Sequence, residues 1–183
     1  MKTDQAPLQE QDICVTCGFC CDGTLFAHAL LNPGEKGSLP ERIEENVFSE
    51  GEKDYFRQPC RYFEGRCTIY ARKRADVCGS YRCQLLRDFS AEKISLEKAL
   101  AVVARARETR RELLEEYRRV SGSDRNIHFM EVLKELGKYL RQDRENASAG
   151  MEYELLLARC NIFEALLIKH FRSADDFEKM VMK

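Results

Sequence analysis

The chain has 183 residues, a formal net charge of −1 and 44% hydrophobic residues. That length suits one medium domain or two small ones, and that hydrophobic content argues against disorder. The near-neutral balance gives no bulk attraction to nucleic acid or to a charged membrane surface.

The first residues, Met1-Lys-Thr-Asp-Gln-Ala-Pro7, lack the apolar stretch of a signal peptide, and no apolar run reaches 18 residues. The expectation is a cytoplasmic protein with no membrane span, in a reducing compartment where thiols stay free or bind metal. Disulfide pairing remains the alternative for an exported chain.

Eight of the nine cysteines lie between residues 14 and 83. Four form one run, Cys14-Val-Thr-Cys17-Gly-Phe-Cys20-Cys21, and four follow as Cys60, Cys67, Cys78 and Cys83. Two-residue spacing turns neighbouring sulfurs to one side, so all eight read as metal ligands. Cys14, Cys17 and Cys20 have the spacing that holds three corners of an iron–sulfur cluster. Cys14-Val-Thr-Cys17-Gly18 also has the form of a zinc knuckle. The third cysteine continues the run and favours iron–sulfur over zinc. If Cys20 and Cys21 are extended, their side chains point to opposite sides and serve two centres more easily than one. Two four-cysteine sites and a single site with four spare thiols both fit the count.

Residues 1–89 hold all four prolines and eight cysteines, whereas residues 90–183 hold no proline and one cysteine, Cys160. This shift divides a cysteine-cluster metal-binding domain, 1–89, from a helical bundle, 90–183. The first part reads as poor in regular structure, with helix expected only around Glu41–Asn46 and Ile69–Asp76. Metal supplies the stability that its small core lacks. In the second part, Leu96, Ala99, Val103, Ala106, Arg110, Leu113, Tyr117 and Val120 form a helical stripe with one arginine interrupting it. Ser121-Gly122-Ser123-Asp124 ends that helix and can cap the next. Phe129, Leu133, Leu136 and Leu140 mark a second helix, and Leu156, Cys160, Phe163, Leu167 and Phe171 a third. A last helix is expected from Ser173, burying Phe177 and Met180. The predicted fold is mainly α: an irregular, metal-organised cysteine-cluster region plus antiparallel C-terminal helices.

Several motifs together resemble the zinc- or iron-chelating CxxCxxCC proteins, also called YkgJ-like cysteine-cluster proteins. They are Cys14-x2-Cys17-Gly-x-Cys20-Cys21-Asp-Gly-Thr-Leu-Phe26, Gln58-Pro59-Cys60, Cys67-Thr-Ile69-Tyr70 and Cys78-x4-Cys83. The resemblance covers about residues 12–88. The family usually has Arg-Pro before the third downstream cysteine and Arg after it; here Ala75 follows Arg74 and Gly79 follows Cys78. The resemblance implies a metal site without fixing the metal. A similar cysteine pattern in flagellin lysine methylases adds an enzyme reading, protein modification, although no glycine-rich nucleotide loop supports a methyl-donor site.

Arg61, Arg66, Arg72, Lys73, Arg74, Arg82 and Arg87 crowd the second cysteine group, against Glu64 and Asp76 alone. They read as compensation for thiolate charge rather than as a site for an anionic partner. Nucleic-acid binding is not expected, because no recognised reading module accompanies the basic segment. A protein or peptide partner is compatible with the helical part; oligomeric state is not readable. His28 is a ligand candidate more simply read as exposed, His128 and His170 read as structural, and Cys160 as a core residue. No Ser/His/Asp set or isolated carboxylate pair points to hydrolysis, so catalytic residues are unassigned. The readings in play are an iron–sulfur or zinc protein with a structural or redox centre, a zinc-organised interaction module, and a protein-modifying enzyme.

Overall fold

The computed structural model describes residues 8–142 and 147–172. In chain order its elements are α1 (Leu8–Cys17), β1 (His28–Leu30), α2 (Glu41–Glu44), β2 (Val47–Glu50), β3 (Lys53–Arg57), α3 (Asp76–Ser80), α4 (Gln84–Ser90), α5 (Leu96–Ser121), α6 (Phe129–Gln142) and α7 (Ala147–Phe171). The described chain is mainly α, with one small antiparallel sheet of order β1-β3-β2. No described helix is long and apolar enough to cross a membrane.

The long helices follow the apolar periodicity. In α5, Ala99, Val103, Ala106, Leu113 and Tyr117 are buried. Ser95 caps its start by accepting from the Lys98 amide at 3.3 Å, and Gly122 ends it in the left-handed region, φ 63°. The segment after Gly122 does not cap α6 as expected: residues 123–128 are irregular, and α6 starts at Phe129 with the Glu131 and Val132 amides on the His128 carbonyl. Helix α6 buries Phe129, Val132 and Leu136, while Leu133 is half-buried. On α7 the whole expected stripe, Leu156, Cys160, Phe163, Leu167 and Phe171, is buried. The expected helix from Ser173, with Phe177 and Met180, lies outside the described residues.

Helices α5 and α7 run antiparallel. Val120 and Arg119 of α5 meet Tyr153 and Glu152 of α7, and one to two turns earlier in α5, Glu116 and Glu112 meet Arg159. The α7 partners thus rise in number as the α5 partners fall.

The first ninety residues hold more regular structure than the sequence suggested. Helix α1 carries Cys14 and Cys17, which read as a loop. The sheet pairs β2 with β3 (Val47 opposite Phe56, Glu50 opposite Lys53) and β1 with β3 (Ala29 opposite Phe56). Helix is present within Glu41–Asn46, as α2, but not over Ile69–Ala75, where turns precede α3. There Ile69 and Ala75 both turn into a core, and Ala75 takes extended backbone with ψ 141°, which a helix cannot accommodate.

Two apolar cores result. The larger joins the long helices to Ile13, Phe19, Leu25, Leu85 and Leu86, so α1 and α4 pack with the helices rather than with the sheet. Phe19 meets Phe163 and Phe171 edge-on, at 6.5 and 5.3 Å between ring centres. Arg110, the arginine within the α5 stripe, pairs with the buried Asp22 and donates to Thr24 Oγ1 at 3.3 Å. The smaller core is Leu31, Leu39, Ile43, Phe56, Ile69 and Ala75, between the sheet, α2 and the segment leading to α3.

Candidate metal-thiolate site

The eight clustered cysteines gather where the two cores adjoin, delivered there by six segments of the chain. Cys14 and Cys17 lie one turn apart near the end of α1. Gly18 then stops the helix: its amide bonds the Cys14 carbonyl at 3.1 Å and its φ is +70°. A Cβ at Gly18 would lie 2.6 Å from the Phe63 ring, so this position requires glycine on two counts. The chain turns back at once, with the Cys21 and Asp22 amides on the Gly18 carbonyl at 2.8 and 3.0 Å. This turn delivers Cys20 and Cys21. The Cys60 amide donates to the Cys21 carbonyl at 2.7 Å, which ties the second cysteine group to the first. Cys67 bridges to Phe63, Cys78 lies on α3, and Cys83 is the residue before α4.

Two adjoining cavities collect the side chains. The larger, about 250 Å³, is lined by Cys14, Cys20, Cys21, Cys60, Cys67 and Cys78. The smaller, about 40 Å³, is lined by Cys14, Cys17, Cys20, Cys21 and Cys83. All nine cysteines are free thiols, the clustered eight half-buried and Cys160 fully buried.

Burial dominates the chemistry of these thiols. It pushes Cys17 and Cys78 up to about 12 and Cys83 up to about 11. It raises Cys14, Cys20, Cys21 and Cys60 as well. Neighbouring thiols add to the rise: after burial, Cys21 is acted on most by Cys78, Cys67 and Cys60, and Cys20 by Cys17 and Cys14. Cations and amides oppose it. Arg74 and Arg82 act on Cys14, Arg74 on Cys78, Arg107 on Cys17, and the Leu86 and Leu85 amides on Cys83. A thiol of this kind is neutral near pH 7 until a metal displaces its proton.

The basic residues near the second cysteine group divide in use. Arg74 reaches the thiols and lies over the Tyr70 ring at 4.1 Å. Arg82 acts on Cys14 and also pairs with the buried Glu10. Arg61 pairs with Glu45 on the surface, and Arg66, Arg72, Lys73 and Arg87 are exposed. Arg107 of α5 was not among the basic residues singled out from the sequence; it donates to the Thr16 carbonyl at 2.6 Å and so stands beside Cys17. The α5 stripe was the available signal, since Arg107 adjoins the buried Ala106 and one turn separates it from Val103 and Arg110.

His28 is exposed on β1, edge-on to Phe48 and Tyr55 at 5.7 and 5.0 Å. It also borders the larger cavity. Burial lowers the pKa of His128 and of His170. Cys160 is buried in the helical core and lines neither cavity.

The donor set fits a thiolate metal centre in chemistry: free, half-buried thiols around a shared space, with arginines at its margin. In position the sulfurs surround space rather than close on a point. Among the described residues no three Cys, His, Asp or Glu side chains are close enough together to hold an ion as they stand. Comparisons with protein-family models, with curated proteins and with solved structures find no match.

Proposed function

We propose that this is a metal-binding cysteine-cluster protein of the cytoplasm, holding iron–sulfur or zinc through Cys14, Cys17, Cys20, Cys21, Cys60, Cys67, Cys78 and Cys83. The observation that carries the reading is the gathering of eight free thiols from six segments around two adjoining cavities. A merely structural cysteine is a buried core residue that lines no shared thiol cavity, as Cys160 is. The resemblance to the CxxCxxCC proteins rests on the same eight residues and points the same way. Iron–sulfur is preferred over zinc on the Cys14, Cys17, Cys20 spacing.

The chain's own residues supply positioning, charge and dryness. Gly18 and the turn after it aim Cys20 and Cys21, and Arg74, Arg82 and Arg107 offset thiolate charge. Phe26, Phe63 and Tyr81 wall the larger cavity and limit water. Bound there, an iron–sulfur cluster supplies one-electron transfer, whereas zinc supplies a cross-link alone. An enzyme that modifies a protein with the cluster's help would need a substrate cleft lined with basic residues. Arg74 is the single arginine or lysine on the described cavity wall, so binding is preferred over protein modification.

Anaerobic purification with iron, acid-labile sulfide and zinc measured in the same sample tests this. The expected protein is coloured and holds iron and sulfide, and aerobic overexpression replaces them with zinc. A folded preparation with neither metal, made both ways, overturns the proposal.

A further inference from the structure

The eight thiols are not one ligand pool. We infer that they form two separate four-thiolate centres, Cys14/Cys17/Cys20/Cys83 and Cys21/Cys60/Cys67/Cys78, divided at the Cys20–Cys21 peptide bond. This rests on the metal-thiolate reading above and adds to it the number of centres and the ligands of each.

Packing supplies the first argument. Cys14, Cys17, Cys20 and Cys83 all pack against the larger, helical core. Cys60, Cys67 and Cys78 pack against the smaller core beside the sheet. That leaves a set of four and a set of three. A closed thiolate site takes four ligands. Cys21 belongs to neither core and is the remaining clustered cysteine.

The cavities supply the second argument. Cys17 and Cys83 line the smaller space alone, and Cys60, Cys67 and Cys78 line the larger alone, while Cys14, Cys20 and Cys21 border both. Four ligands each then requires two of those three to go with Cys17 and Cys83, and one with the others. The backbone chooses the one: the Cys60 amide is bonded to the Cys21 carbonyl, which fixes Cys21 against the second set. Cys14 precedes Cys17 by one helical turn on α1, which fixes it in the first.

The two sets also differ in scaffold. The first is held by α1, the turn after it and the start of α4. The second is held by the Cys60–Cys67 turns and the five-residue α3. Losing one centre therefore leaves the backbone of the other supported by a different core.

The test uses the full chain, stripped of metal and titrated anaerobically with zinc alone, read by native mass spectrometry. Two zinc ions per chain are expected. At one equivalent, alkylation of the still-free thiols should map single molecules whose protected cysteines are wholly one set or wholly the other. Because this mapping uses the unsubstituted chain, it does not depend on variants folding. Paired substitutions then sort the ligands. Cys17→Ser/Cys83→Ser and Cys60→Ser/Cys78→Ser should each lose one of two ions, and Cys17→Ser/Cys78→Ser should lose both. Saturation at one zinc, protected sets that mix the two groups, or a mixed pair that still holds one ion overturns the division while leaving metal binding intact. A chain that takes up no zinc, and no iron or sulfide when made anaerobically, overturns the metal reading beneath it.

Discussion

The larger core closes on apolar side chains from five helices, with Phe19, Phe129, Phe163 and Phe171 at its centre. The smaller core has six buried residues among those described and is edged by Cys60, Cys67 and Cys78. Burying a leucine or phenylalanine side chain contributes about 1.5–3 kcal/mol, so the first core is stable without help and the second is small for the turns it must order. The difference assigns the cysteines a job: they stand where apolar burial gives out. It also predicts that the two cores respond differently to each perturbation.

Removal of metal should separate them most. Binding at structural thiolate sites is also folding free energy, of order 10–16 kcal/mol for zinc-finger peptides. Chelation should loosen residues 28–78, which carry the sheet, the smaller core and the second thiol set, far more than α5–α7. Hydrogen exchange resolved by segment reads this directly, with protection retained over Ala99–Tyr117 and reduced over His28–Arg57. Equal loss in both segments would mean that one cooperative unit, not two differently held cores, is being observed.

High pH should come next, and only in metal-free protein. Burial holds Cys17 and Cys78 at about 12 and Cys83 at about 11, against ~8.5 in an unfolded chain. The folded state thus keeps its protons longer than the unfolded state. The stability from this source is complete below pH ~8.5 and is lost as pH rises toward 11–12. Each such thiol costs about 1.4 kcal/mol per pH unit within that window. Urea midpoints measured from pH 7 to 10.5 should fall steeply without metal and stay nearly level with metal, whose ligands are already ionised. A level profile in both would remove the case that these thiols are neutral before loading.

The stripes on α5–α7 could be read from the sequence because side chains three and four apart share a face, and each stripe is long enough to rise above chance. Helix α1 could not. Its sequence, Leu-Gln-Glu-Gln-Asp-Ile-Cys-Val-Thr-Cys, reads as polar around its two cysteines, and Ile13 is its one fully buried apolar side chain among those described. Strand β1 is three residues long, too short for alternation to register. The β2–β3 hairpin was legible in principle: Gly51 heads a two-residue loop between Val47-Phe-Ser-Glu50 and Lys53-Asp-Tyr-Phe-Arg57. Arg110 carried a signal too, since a cation within a buried stripe calls for a buried anion, here Asp22. The eight candidate ligands came from cysteine spacing. Their division into sets did not, because it depends on which core each thiol packs against.

Phe163→Ala should act at the seam. Phe163 touches Phe19, from the turn that delivers Cys20, and Phe129 of α6, at 6.5 and 4.8 Å between ring centres. Truncating a fully buried phenylalanine costs about 3–5 kcal/mol. The helical core should take most of that loss. Metal-loaded protein should still retain its metal, because the thiols are carried by α1, α3, the start of α4 and the turns rather than by α7. Thermal melts with metal content measured before and after check both halves, and loss of metal at a temperature where α5–α7 remain helical would reverse the order of dependence.

The smallest effect is expected at Cys160, and it separates a packing cysteine from a ligand cysteine by the same chemical change. Cys160 is fully buried on α7 among Leu156, Phe163 and the α5 residues, and burial pushes its thiol up to about 12. Serine there removes a polarisable sulfur and places a hydroxyl among apolar neighbours, at a cost of about 1–3 kcal/mol. An α-helix offers one relief, a bond from the hydroxyl to the carbonyl one turn back, here that of Leu156, which moves the cost toward the lower end. Metal content should be unchanged, because Cys160 lines neither of the two thiol cavities. Cys160→Ala sharpens the point: it leaves a small void but no unpaired hydroxyl, so it should cost no more than serine. Serine and alanine variants that both lose metal in step with Cys17→Ser would place Cys160 among the ligands and break the comparison between the two cores.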